Sequence, residues 1–74
     1  MDKQWTKYAT NLIKVELTRK SISYEQLQEK LSELGVSESA GGINVKINRG
    51  TFSFVFFLQV MKALGVKTIR LEDE

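Results

Sequence analysis

The sequence predicts an all-α domain of four or five short helices, followed by a short extended segment at the C-terminal end. Three observations lead there. Apolar residues recur at three- and four-residue spacing along successive stretches of the chain, the spacing that lines one face of a helix. Serines stand immediately before most of these stretches, where a side-chain oxygen caps the first free backbone amides. Single glycines, Gly35, Gly50 and Gly65, follow the later three and give those helices defined exits, and the chain contains no proline.

The first helix is expected over about residues 2–19. Trp5, Tyr8, Ala9, Leu12, Ile13 and Leu17 share its apolar stripe. Asp2 is placed to cap it, and Lys14, Arg19 and Lys20 lie toward its negative end. The second helix, residues 24–34, has the strongest local signal. Ser23 with Gln26 three residues later forms a capping box, and Ile22 with Leu27 forms the accompanying hydrophobic staple. Leu27, Leu31 and Leu34 line one face, and Gly35 ends the helix. A third helix is expected from near residue 39 to 48, capped by Ser37 or Ser39 and stopped by Gly50. Ala40, Ile43 and Ile47 point inward, while Gly41 and Gly42 predict an irregular first turn, at a cost of about 1 kcal/mol each against alanine.

Ser53 caps a fourth helix that runs to Leu64 and closes at Gly65. All four phenylalanines of the protein fall between positions 52 and 57. Phe54, Phe57, Val60, Met61 and Leu64 form the expected inner stripe, with Val55, Phe56 and Leu58 on or near the opposite side beside Gln59 and Lys62. A helix apolar nearly all round is either buried centrally or meets a partner. The segment 67–71 alternates apolar and polar residues and reads as extended, and residues 72–74 are an acidic tail.

With 74 residues, residues 1–74 form a single domain. The absence of cysteine and histidine excludes disulfides, Cys/His zinc sites and every nucleophile–histidine pair. Glu25, Glu29 and Glu33 are spaced as a solvated helix face, and Gly41-Gly42 lacks the strand context of a phosphate loop. No enzyme, cofactor or metal is expected. No membrane span or signal segment is read, so the default location is cytoplasmic. The formal charge of +2 conceals an asymmetry: residues 1–71 carry eleven basic and six acidic side chains, and the three last residues are all acidic. A body of net charge +5 is compatible with a polyanion partner.

A helix, a turn, a capped helix, a short helix and an apolar helix follow one another in a helix-turn-helix order. The run Ile22-Ser23-Tyr24-Glu25-Gln26-Leu27, then Leu31, Gly35-Val36, Ile43, Ile47, Arg49-Gly50, Leu58 and Ala63-Leu64-Gly65-Val66 resembles the Cro/lambda-repressor-like domain. Within that superfamily the chain is similar to a short bacterial family of unknown function, through Tyr24 to Leu27 and Arg49 to Ser53. The resemblance covers about residues 10–66. Tyr24 stands where the superfamily often has a phosphate-gripping polar residue, Gln28 where many members have alanine, and the stretch 35–50 is about three residues longer than usual. These departures re-aim the third helix rather than alter the fold.

The resemblance implies a small sequence-specific DNA-binding protein, plausible as a transcriptional regulator, with the third helix in the major groove of double-stranded DNA. Gly41, Gly42, Asn44 and Val45 would lie near the groove. Lys46, Asn48 and Arg49 would divide between base edges and phosphates, and Tyr24 would donate its hydroxyl to a phosphate. The bland alternative is an ordinary solvated helix face. Val55, Phe56 and Gln59 are expected at a homodimer or partner interface, with burial under Trp5 and Tyr8 as the competing reading. A rival from another class keeps the fold but binds a partner protein through the phenylalanine helix, as an antitoxin-like or regulatory subunit does.

Overall fold

Serine caps and left-handed exits divide the chain where the sequence places them. A computed structural model describes residues 3–71 and contains four helices: α1 (Lys3–Lys20), α2 (Tyr24–Glu33), α3 (Ala40–Arg49) and α4 (Phe54–Leu64). No strand occurs among the described residues, and the stretch after Gly65 has no regular secondary structure. The expected Asp2 cap and the acidic residues 72–74 lie outside the described residues.

The capping box of α2 is present in full: Gln26 N donates to Ser23 Oγ at 3.1 Å, and Ser23 N donates to Gln26 Oε1 at 2.8 Å. Ser39 caps α3 through Gly42 N (2.9 Å), and Ser53 caps α4 through Phe56 N (3.0 Å). The cap on Gly42 makes the first turn of α3 regular despite its two glycines, a correction to the irregular turn expected.

Three helix exits share one pattern. Ile22 N, Val36 N and Val66 N reach back to Leu17 O, Leu31 O and Met61 O, each at 2.9 Å. The residue before each amide, Ser21, Gly35 or Gly65, has positive φ, which turns the chain so that the amide meets the helix end. Ile22, Val36 and Val66 then pack on the core, so each exit also buries an apolar side chain.

The end of α3 is built differently. Gly50 N donates to Ile47 O (3.2 Å), and the buried hydroxyl of Thr10 in α1 donates to the same carbonyl at 2.6 Å. Gly50 has φ +70°, and a Cβ there would overlap the Thr6 carbonyl. The glycine thus serves both the turn and the close approach of α1 to the end of α3.

α1 and α2 each pack against both α3 and α4. Ile13, Leu27, Leu31, Ile43, Ile47 and Val60 are fully enclosed at the centre, and each such side chain contributes about 1.5–3 kcal/mol relative to exposure.

Two expectations about the apolar stripes are corrected. Trp5 is 63% exposed: it sits in the first turn of α1 and meets Tyr8 (ring centroids 6.1 Å apart) rather than the core. On α4, Phe54 is 71% exposed and Phe56 only 5%, the reverse of the expected order. Phe52, just ahead of the helix, explains the change. Its ring meets Phe56 at 6.0 Å and Phe57 at 6.2 Å between centroids. The buried stripe therefore begins at Phe56 and Phe57, continues through Val60, Met61 and Leu64, and turns Phe54 outward.

Candidate nucleic-acid interface

The inward face of α3 is set by Ile43 and Ile47, which are fully buried. The remaining arc is therefore presented outward: Gly41, Asn44, Val45, Lys46, Asn48 and Arg49 are all exposed, and Gly42 is half-buried. Beyond the adjoining residues and the helix's own backbone, nothing lies within 4 Å of the place a Cβ would take on Gly41, so that position is open to a ligand's close approach.

The structure brings three of the expected residues together and separates a fourth. Tyr24 is half-buried at the start of α2, and its phenol oxygen accepts from Asn48 Nδ2 at 3.3 Å. The same Nδ2 donates to the Asn44 backbone carbonyl (2.8 Å) and to Asn44 Oδ1 (2.5 Å). Tyr24, Asn44 and Asn48 thus form one hydrogen-bonded group bridging α2 and α3, with the phenol proton of Tyr24 still free to donate.

Lys46 faces the other flank. Its ammonium pairs with Glu38 Oε2 at 2.5 Å and lies 5.0 Å from the centroid of the Phe56 ring. Glu38 was not visible as a site residue in the sequence because it precedes the helix cap and stands eight positions from Lys46, outside the three- and four-residue spacing that pairs charges on a helix. Arg49 makes no ion pair with another described residue and is exposed, so it is the available cation on this arc. Of the basic residues at the end of α1, Arg19 is tied to Glu16 (3.3 Å). Lys14 shares a shallow depression with Ser21 and Tyr24 beside the start of α2.

The expected interface residues divide as well. Val55 is 62% exposed, whereas Phe56 is buried and cannot meet a partner directly; Gln59 is half-buried. The outer surface of α4 is formed instead by Phe54, Val55 and Leu58, with Leu34, the residue that caps the end of α2, also exposed. A groove beside it is lined by Leu34, Leu58, Val66 and Ile69.

Among the described residues no group of His, Cys, Asp and Glu could hold a metal ion, and no helix is long and apolar enough to cross a membrane. Fold and surface together define a small all-α domain with a polar, amide-rich helix on one face and an apolar helix on another. The chain belongs to the family described as Domain of unknown function (DUF6471), whose model matches residues 5–69. No curated protein and no solved structure matches it.

Proposed function

We propose that this protein is a small sequence-specific DNA-binding protein of the lambda-repressor-like helix-turn-helix kind, acting in the cytoplasm as a homodimeric regulator of transcription. In this reading α2 and α3 are the two motif helices and α3 enters the major groove. The observation that carries the reading is the exposed arc of α3, where Asn44, Val45, Asn48 and Arg49 stand clear of the core while Tyr24 braces the arc from α2. Amides, a short apolar side chain and an arginine are the groups that read base edges and hold phosphate. Lys46 plays a lesser part than its position on α3 suggests, because Glu38 already neutralises it.

The test is a salt titration of duplex binding. Affinity should fall linearly in log–log terms as salt rises, and Arg49→Ala should reduce the slope by about one, the loss of one phosphate contact. Lys46→Ala should change the slope by less. No duplex binding at about 50 mM salt, where electrostatic binding is strong, overturns the reading.

The homodimer places a second copy of the chain on Phe54, Val55 and Leu58. Two copies related by a two-fold axis set their α3 helices on half-sites about one DNA turn, or 34 Å, apart. Val55→Glu should convert a dimer to a monomer in sedimentation or light scattering, and a wild-type monomer at high protein concentration refutes the dimer.

One observation favours the rival reading, a module that binds another protein through α4: three adjacent large apolar side chains on one helix are left uncovered, and such patches mark interaction sites. A stable wild-type monomer that binds no duplex would favour it.

A further inference from the structure

The hydrogen bonds around Asn48 fix which atoms of two side-chain amides remain available. The backbone carbonyl of Asn44 can only accept, so the Asn48 atom 2.8 Å from it is the Nδ2 donor. Three acceptors face the two protons of that nitrogen: the Asn44 carbonyl, Asn44 Oδ1 and the Tyr24 phenol. Asn48 Nδ2 is therefore fully engaged inside the protein. Asn44 Oδ1 accepts from Asn48, so one of its two lone pairs is filled inside the protein. On these two exposed residues, the side-chain groups left wholly unengaged are one donor group, Asn44 Nδ2, and one acceptor, Asn48 Oδ1. Neither has a partner among the described residues.

Resting on the DNA-binding reading above, we infer that Asn44 and Asn48 read a single adenine as a pair, with Asn44 Nδ2 donating to N7 and Asn48 Oδ1 accepting from the N6 amino group. A lone asparagine ordinarily makes both bonds with its own amide. Here the commitment of Asn48 Nδ2 to the protein divides the task between two residues on successive turns. The pattern discriminates by charge as well as by attraction: guanine presents two acceptors, N7 and O6, and its O6 would face Asn48 Oδ1, acceptor against acceptor. The Tyr24 hydroxyl is a positioning group. It helps hold Asn48 in the one orientation that turns Oδ1 outward, so the pair is set before DNA arrives. Val45, the residue after Asn44 and likewise exposed, adds an apolar surface suited to a thymine methyl.

The experiment begins with selection of the wild-type protein on a randomised duplex pool, followed by fluorescence anisotropy on the enriched duplex at fixed salt. An invariant A·T pair is expected. Replacing that adenine by 7-deazaadenine, which removes the N7 acceptor, should weaken wild-type binding about tenfold, the scale of one good base contact. Purine, which lacks the amino group, should do the same. Asn44→Ala should bind the natural and 7-deaza duplexes equally while keeping the wild-type salt slope, because phosphate contacts are untouched. The modified bases test the wild-type protein directly, so the inference does not depend on a variant folding. Duplex binding with the expected salt slope but no invariant adenine, or indifference to both modified bases, overturns the adenine contact and leaves the DNA-binding reading standing. Failure to enrich any duplex, with no binding at low salt, overturns both.

Discussion

Gly50→Ala should destabilise the fold by about 3–5 kcal/mol, combining left-handed backbone strain with steric overlap. The added methyl would lie on the Thr6 carbonyl and 2.9 Å from Thr10 Oγ1, so α1 must retreat from the end of α3. That retreat also stretches the bond from Thr10 to Ile47 O, 2.6 Å long and buried, and a buried carbonyl left without its donor adds to the loss. A domain of this size holds only about 3–5 kcal/mol in its core, so the variant should be largely unfolded at room temperature. Urea denaturation followed by far-ultraviolet circular dichroism measures it. A change below about 1 kcal/mol, small beside the typical cost of overpacking, would mean that α1 does not press on Gly50.

The second large effect separates two neighbouring phenylalanines. Phe56→Ala should cost about 3 kcal/mol or more, the loss expected for a buried aromatic side chain. Phe56 belongs to the buried core, where it meets the Phe52 ring and lies beneath the Lys46 ammonium, and its removal opens a cavity beside α4. Phe54→Ala should change stability by no more than about 0.5 kcal/mol, as for most surface substitutions. Thermal melts of the two variants decide the phase of α4. Equal losses, or a larger loss for Phe54, would reverse the buried and exposed faces described above.

The helix boundaries were legible because they depend on neighbours in sequence. Ser23 with Gln26, Ser53, Gly35 and Gly65 act within one turn of their own position and are found where local chemistry puts them; Gly50 ends its helix in the same way, but its contact with α1 is not written in its neighbours. The face of α4 was legible only in part. Phe57, Val60, Met61 and Leu64 follow from helical spacing alone, but the choice between Phe54 and Phe56 depends on where Phe52 folds, and no periodicity carries that. The exposure of Trp5 escapes the spacing for the same reason, since spacing gives the direction of a residue and not how far the partner helices extend.

The candidate site shows the same division. That α3 has an outer arc containing Asn44, Val45, Asn48 and Arg49 follows from the inward placement of Ile43 and Ile47. The pairing of Lys46 with Glu38 and of Asn48 with Tyr24 spans 8 and 24 positions, and these contacts exist only once helices have docked. They sort the arc into engaged and available groups, which composition and charge counts cannot do.

The bond from Thr10 to the end of α3 joins residues 37 positions apart, whereas the exits of the other helices close on themselves. Closing so long a loop costs chain entropy that no local contact offsets. The end of α3 therefore depends for its fastening on a helix far away in the sequence. α1 leads the sequence, so it waits through the synthesis of everything between before it can fasten. A chain cut short ahead of α4, or frayed at its first helix, would keep the residues of the polar arc but lack the scaffold that aims them. Integrity of the whole domain thus becomes a condition for presenting that face.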